Sequence, residues 1–449
     1  MKIHIIAIGG SIMHNLAIDL KKNGHIVTGS DDDIHEPSYS RLLQHQLLPE
    51  KLGWFPDRIS KDIDIVILGM HARKDNPELL KAQELGLKIY SYPEFIYQNS
   101  INKKRIVIGG SHGKTTITSM ILHVLKKNNL PADYLVGAQL PGFDTMVKIT
   151  SDNSILVAEG DEYLASPIDL RPKFLIYRPH IAVISGIAWD HINVFPTFEE
   201  YKNAFVEFIK SIEKNGTLIF NEADSMLSEI VKSHHRGDLE YISYHLPNYQ
   251  IQNQQVEIIY QNKKYPLKIF GKHNIQNLEA ARNVCNKIGI NNETFLESIA
   301  DFTGASKRLE KWIEQANIIV FKDFAHAPSK VKATIDAVKE MYPNKEIIAA
   351  LELHTYSSLN ENFFPEYKNV LSNAEYKIVY FDAHTLEIKK MPSPDKEKIK
   401  HSFNDNDVKV IDNKEALLQT LKTIGLSDKI LLLMSSGTLS NLQKEELLN

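Results

Sequence analysis

The chain has 449 residues and a mass of 51.1 kDa, which at roughly 150 residues per domain makes two or three domains. Hydrophobic residues at 43% and charged residues at 24% are ordinary for a globular protein and exclude disorder, collagen and coiled coil. With 52 basic and 56 acidic residues the net charge is −4, so no overall basic field calls for nucleic acid, and the single cysteine, Cys285, permits no intrachain disulfide and suits a reducing compartment.

The chain starts MKIHIIAIGG, and residues 3–8 predict a buried strand. No cationic stretch or cleavage site frames a longer apolar core, so this is not read as a signal peptide. No run approaches the roughly 18 apolar residues of a membrane helix. The expectation is a cytoplasmic protein with no membrane insertion.

Gly9 and Gly10 break the first strand, and a helix follows to about Lys22. A second strand ends at Asp31, strands at 63–69 and 87–92 flank a helix at 78–86, and this β–α–β alternation predicts a parallel, doubly wound sheet. A second unit opens with a strand at Arg105–Gly109 and a helix from Lys114, followed by strands at 154–160, 180–186 and 216–221. The stretch 240–270 reads as short antiparallel strands, and 273–289 as an amphipathic helix closed by Gly289. A third unit starts near Phe302, with strands at 317–324, 346–353, 376–383 and 429–435. The polar, proline-broken segment 386–405 reads as a surface loop or a partly mobile lid. The restarting strand signals place domains at 1–101, 102–301 and 302–449.

Between the strand ending at Gly109 and the helix from Lys114 lies Gly110-Ser111-His112-Gly113, followed by Thr115 and Thr116. Glycines let backbone N–H groups close around phosphate oxygens, and a helix N-terminus adds partial positive charge. Lys114 is placed to reach β- and γ-phosphates and the Thr115 hydroxyl to ligate Mg²⁺. The usual spacing would put glycine at 108, where this chain has Ile108, so the loop is a shortened variant. The Gly9-Gly10 turn lacks the full dinucleotide fingerprint and is equally a plain tight turn. Asp31 sits where a ribose hydroxyl is often met. Glu159 ends a buried strand at the carboxyl edge of the sheet; taken in isolation it reads as a helix cap or surface carboxylate, and His191 as a core histidine.

In order, IGGSIMHNLA, TGSD, KDNPEL, GGSHGKTT, VAEGDEY, WDHINVF, GKHNIQNLEAA, KRLE and KDFAHAPSK resemble the Mur ligase family, the ATP-dependent amide-forming enzymes of peptidoglycan assembly. The resemblance covers essentially the whole chain. It implies an α/β fold of three domains: an N-terminal Rossmann-like domain binding a UDP-sugar, a central P-loop ATPase-like domain with a mainly parallel sheet, and a C-terminal Rossmann-like domain taking the incoming amine. It implies ATP and Mg²⁺ as cofactors. A carboxylate attacks the γ-phosphate, an acyl phosphate forms, and an amine displaces phosphate.

The same resemblance implies roles for individual residues. Lys114, Glu159, His191 and His326 serve the reaction centre, with Thr115, Glu159 and His191 linked to the metal. Gly110, Ser111, His112, Gly113, Lys114, Thr115 and Thr116 hold the phosphates, Asn274 and Asn277 the adenine, Arg308 the phosphates from the third domain, and Asp323 the ribose. Gly10, Ser11, Asp31, Asn76, Arg171, His354 and Ser435 are implied for substrate binding, His354 and Ser435 for the incoming amine. The residues of the nucleotide site fall in both the second and third domains, so domain closure is expected.

For the amine, DLRPKF (169–174), the Phe of KDFAHAPSK and the lack of a Thr-Arg pair in LELHTYSS resemble family members that add L-alanyl-γ-D-glutamyl-meso-diaminopimelate. His326-Ala327 and Leu164 depart from those members. The tripeptide is the expected amine and L-alanine the alternative, since an arginine from elsewhere in the fold would also clamp a small amino acid. The expected assembly is a monomer or weak homodimer. Two other classes fit the loops taken singly, an ATPase driving a conformational change and a dinucleotide-dependent oxidoreductase; the latter leaves Lys114-Thr115 unexplained.

Overall fold

The computed structural model describes residues 1–189, 194–304, 309–315, 317–383, 386–387 and 391–448, and among these the strands form four sheets. The chain divides into two compact units: Met1–Ile187 with Thr197–His245 and Leu278–Ile299, and Ala188–Pro196 with Leu246–Asn277 and Ala300–Asn449.

In the first unit, β1 (Lys2–Ile6), β2 (Ile26–Ser30), β3 (Ile65–Leu68) and β4 (Lys88–Ser91) form a parallel sheet in the order β2-β1-β3-β4. β1 stops two residues short of its predicted end. Ala7 adopts a left-handed backbone (φ +65°), rare for a residue with a Cβ, and turns the chain into the glycine loop. Helix Ser11–Lys22 follows. Helix Tyr92–Gln98 is started by a capping box, in which Ser91 and Glu94 satisfy each other's backbone N–H groups.

The second sheet comprises β5 (Lys104–Gly109), β6 (Asp133–Leu135), β7 (Val147–Lys148), β8 (Ile155–Glu159), β9 (Ile181–Ile184), β10 (Thr217–Asn221) and β11 (Glu240–Tyr244), in the order β11-β10-β9-β5-β8-β6-β7. Only β7 runs antiparallel, at one edge. β11 corrects the antiparallel expectation: it pairs parallel with β10, Thr217 opposite Glu240. Helix Ser225–Ser233, capped by Asp224, supplies the crossover that parallel pairing requires. The central strands β5, β8 and β9 are buried on both faces, with Ile106, Val107, Leu156, Val157, Ala182 and Val183 fully enclosed.

In the second unit, β12 (Tyr249–Gln252), β13 (Gln255–Tyr260) and β14 (Lys263–Leu267) form the expected antiparallel meander. Its two-residue turns, Asn253-Gln254 and Gln261-Asn262, have positive φ at both positions, the hairpin geometry that matches strand twist. The remaining sheet comprises β15 (Glu310–Gln315), β16 (Ile318–Asp323), β17 (Glu346–Glu352), β18 (Tyr376–Tyr380), β19 (Lys409–Ile411) and β20 (Lys429–Met434), in the order β15-β16-β20-β17-β18-β19 with only β15 antiparallel. The 386–405 segment is more than a loop: Asp395 caps a helix at Lys396–Ser402, and Ile399 on it is fully buried. Among the described residues no helix is long and apolar enough to cross a membrane.

Candidate active site

The doubly wound order sets where chemistry gathers. The connection from β5 leads outward on one side and that from β9 on the other, so the carboxyl ends of β8, β5 and β9 border a crevice. Ile108 is a fully buried strand residue, which is why the loop after β5 is short. Gly110 has φ +121°, and a Cβ there would come within 2.8 Å of the Ser185 backbone nitrogen. Gly113 is left-handed and caps helix Lys114–Lys127. Ser111, Thr115 and Thr116 are buried around this turn. The loop therefore fits a polyphosphate, as a glycine cradle at the N-terminus of a fourteen-residue helix.

The Lys114 ammonium donates to Gly110 O (2.7 Å) and pairs with Glu162 Oε2 (2.8 Å). Burial pulls the Lys114 pKa down, but Glu162, Asp161 and Glu159 outweigh that and hold it above its ordinary value. Glu162 is fully buried and also accepts from Tyr201 Oη (3.2 Å), while the Tyr201 hydroxyl lies 2.8 Å from Ser111 Oγ. At the end of β8, Glu159 accepts from Thr115 Oγ1 (2.8 Å) and from the Gly137 N–H (2.6 Å). Thr115 and Glu159 make an all-oxygen pair beside the cradle, the donor chemistry that Mg²⁺ prefers. His191 and Arg308 lie outside the described residues.

The glycine turn after β1 opens on a cavity of about 710 Å³, lined by Gly10, Ser11, Asn15, Asp31, Gln139 and Met146 among others. The Asp31 carboxylate accepts from the Gly9 N–H at 2.7 Å. Burial, with Asp32 alongside, pushes its pKa up to about 6. Asn76 serves elsewhere: its side-chain oxygen accepts from the N–H groups of Glu78 (2.9 Å) and Leu79 (3.1 Å) as a helix cap. Arg171 is held by Asp169 at 2.6 Å and Glu94 at 3.3 Å, and Lys173 by Asp161 at 2.7 Å.

In the second unit the carboxyl ends of β16, β20 and β17 bring three predicted positions to one sheet edge. Asp323 accepts from the Ala325 N–H (3.0 Å) and Thr334 Oγ1 (2.9 Å), and His326 Nδ1 bonds Phe324 O (2.8 Å). Ser435 donates to the buried Glu352, which also accepts from the Leu439 N–H at 3.0 Å. The His354 ring lies against Gly437, where a Cβ would come within 2.6 Å of Nδ1. Asn274 donates to Phe270 O (2.9 Å) at the start of helix Lys272–Lys287, and Asn277 is half-buried one turn on.

From the sequence Asp161 and Glu162 read as further acids beside Glu159, without assigned partners, and Tyr201 on helix Phe198–Ser211 is not singled out. The three acids separate only in three dimensions: Glu159 meets Thr115, Asp161 meets Lys173 and Glu162 meets Lys114.

A phosphate cradle at the switch point of a mainly parallel sheet, carboxylates at the next strand end, and Rossmann-like sheets before and after it define an ATP-using α/β enzyme. Residues 2–104 match the model described as Mur ligase family, catalytic domain, 108–285 that of the Mur ligase middle domain, and 307–437 that of the Mur ligase, glutamate ligase domain. The UDP-N-acetylmuramate–L-alanine ligase of Carboxydothermus hydrogenoformans is 31% identical over 402 residues, 87% of this chain and 84% of that one. The enzyme of the same name from Caldicellulosiruptor saccharolyticus is 35% identical over 371 residues, 80% and 79% of the two chains. Two solved structures share the fold. The UDP-N-acetylmuramate–alanine ligase of Thermotoga maritima superposes with a TM-score of 0.71 at 21% identity, covering 98% of this chain and 97% of its own. The murein peptide ligase of Psychrobacter arcticus gives 0.66 at 22%, covering 100% and 98%. The chain belongs to the Mur ligase family and has its three domains; it is an ATP-dependent, ADP-forming ligase.

Proposed function

We propose that this ligase joins L-alanine to the lactyl carboxylate of UDP-N-acetylmuramate, with Mg²⁺ as cofactor. The observation that carries the choice of substrates is the relatedness to L-alanine ligases at 31% and 35% identity over about four-fifths of their length. This reverses the tripeptide expectation. The DLRPKF charges that favoured it have structural partners: Arg171 bonds Asp169 and Glu94, and Lys173 bonds Asp161. The tripeptide stays as a second reading on the strength of LELHTYSS, which lacks an arginine to clamp a small carboxylate.

On this reading the domains divide near residues 101 and 302. The cavity beside Gly10, Ser11 and Asp31 receives the UDP-sugar. ATP supplies the phosphoryl group that activates the carboxylate. Lys114 neutralises charge as two anions are brought together, and the cradle N–H groups orient the phosphates. Thr115 and Glu159 hold Mg²⁺, with His191 in the role the family resemblance implies. Asn274, Asn277, Arg308 and Asp323 serve the nucleotide, His326 faces the reaction centre, and His354 and Ser435 line the amine pocket. The test is kcat/KM for L-alanine and for L-alanyl-γ-D-glutamyl-meso-diaminopimelate at saturating ATP and UDP-N-acetylmuramate. The expected result is a higher value for L-alanine; a higher value for the tripeptide overturns the assignment.

A further inference from the structure

Helix Ser11–Lys22 and its C-cap carry three polar side chains spaced four apart, Asn15, Asp19 and Asn23, which share one face. All three engage the backbone of one short stretch around β7. Asn15 Oδ1 accepts from the Met146 N–H (3.0 Å), Asp19 Oδ2 from the Ile149 N–H (2.8 Å), and Asn23 Nδ2 donates to Ile149 O (2.8 Å). Asn23 Nδ2 also donates to Asp19 Oδ2 at 3.2 Å, and Arg41 Nη2 donates to both Asn15 Oδ1 (3.1 Å) and Asp144 O (2.8 Å). Asn15 and Asp19 are 1% and 6% exposed, so their bonds to the Met146 and Ile149 N–H groups are made away from water, where an unmade one is costly, whereas Asn23 is exposed.

β7 is the edge strand of the seven-stranded sheet, and an edge strand leaves backbone groups unpaired. Here the helix side chains take the place of a further strand. The segment they grip leads to two places that matter. Gln139 and Met146 line the 710 Å³ cavity together with Gly10 and Ser11, and Ser11 Oγ donates to Met146 Sδ at 3.8 Å. Gly137, at the other end of the segment, donates to the Glu159 carboxylate that holds Thr115. One stretch of backbone, 137–149, thus joins the phosphate-loop carboxylate to the cavity wall and is fastened at its far end by Asp19.

We propose that Asp19 is a positioning residue for the ligase reaction: its bond to the Ile149 N–H holds the 137–149 segment so that the carboxyl-substrate cavity keeps its shape and its register with the phosphate loop. This rests on the reading that the cavity takes UDP-N-acetylmuramate. Asp19 touches no substrate, and what it supplies is an acceptor, so asparagine should replace it and leucine should not.

The test compares Asp19→Leu, Asp19→Asn and Asn23→Ala in the full chain by hydrogen exchange of the 137–150 peptides and by steady-state kinetics. For Asp19→Leu, exchange at 146–150 should quicken about tenfold and KM for UDP-N-acetylmuramate rise about tenfold, the usual scale for losing one hydrogen bond to a charged acceptor. KM for ATP should stay within about twofold, because Lys114 and Thr115 keep their own bonds. Asp19→Asn should keep the wild-type KM for UDP-N-acetylmuramate and exchange no faster than the wild type, and Asn23→Ala should show a smaller change of the same kind as Asp19→Leu. A merely structural role would lower all parameters together through loss of folded enzyme, so an unsplit loss overturns the proposal. Unchanged exchange in Asp19→Leu overturns it, as does an Asp19→Asn variant as impaired as Asp19→Leu. If Asp19→Leu fails to fold, Asn23→Ala decides on the same two readouts. If the wild type shows no turnover with UDP-N-acetylmuramate, the substrate reading has failed, and the exchange data still decide the fastening.

Discussion

Lys114 and Glu162 form an ion pair in which the side chains are 13% and 0% exposed, beside the glycine cradle to which the proposed function assigns the phosphates. At 2.8 Å, with an effective dielectric of about 20, the direct attraction is about 6 kcal/mol, part of which offsets the cost of taking both charges out of water. Removing one partner leaves the other buried and uncompensated, which costs about 3–5 kcal/mol. Glu162→Gln and Lys114→Met are each expected to lose stability on that scale. The double variant should lose far less than the sum, giving a coupling energy of about 2 kcal/mol or more. The assay is urea unfolding of the four proteins at pH 7.5, by linear extrapolation. Glu162→Gln should also lower the Lys114 pKa, since Glu162 is the foremost charge raising it. The double variant then separates folding from chemistry: near-normal stability with ligation still down roughly 10²-fold or more, because the phosphate-neutralising charge is gone. Additive losses in the cycle would refute the coupling. Near-wild-type turnover in the double variant would remove Lys114 from the reaction.

Asp19 is pushed up to about 6 from 3.8, chiefly by burial and further by Asp133, against the pull of the Ile149 N–H, Lys148 and Lys22. A carboxyl whose folded pKa is raised costs stability as pH rises from about 4 through 6, and a rise from 3.8 to about 6 corresponds to about 3 kcal/mol once it is fully ionised. Asp19→Asn should therefore be more stable than the wild type at pH 8 by up to that amount and indistinguishable at pH 4; a gap that does not grow with pH would contradict this. Gly110→Ala should cost about 1–3 kcal/mol and weaken ATP binding, because the added Cβ meets the Ser185 nitrogen and the backbone is left-handed; calorimetric titration with ATP and a melting curve check it, and a wild-type profile would count against a tight cradle. Cys285 is fully buried and its thiol pKa is pushed up by that burial, so the native protein should resist a thiol reagent that modifies it at once in urea; rapid native labelling would contradict the burial.

Much of the site is legible where local sequence dictates local structure. Strand, glycines, lysine and hydroxyl of the phosphate loop are consecutive, so periodicity and turn chemistry locate it without tertiary information. β13 and β14 were legible as an antiparallel pair, whereas β11 was not separable from them. Parallel pairing is set by where the helix Ser225–Ser233 returns the chain, not by the strand's own residues. The end of β1 was missed because nothing in an alanine announces a left-handed turn such as the one Ala7 makes. Asn76, implied for substrate, also has a local role that its place before Pro77 signals: its side-chain oxygen starts a helix. Asp19 sits in a helix where an acid would ordinarily face water, and its bond reaches a residue 130 positions away.

The fastening between helix Ser11–Lys22 and the edge strand has a consequence for how these proteins change over time. Its acceptors and donors on the sheet side are main-chain atoms of Asp144, Met146 and Ile149. Main-chain groups are the same whatever side chains those positions carry, so residues 144–149 can drift without undoing the connection, provided the strand geometry is kept. The demand falls on four polar side chains: Asn15 and Asp19 on helix Ser11–Lys22, Asn23 at its C-cap, and Arg41 on the following helix, Ser38–Gln44.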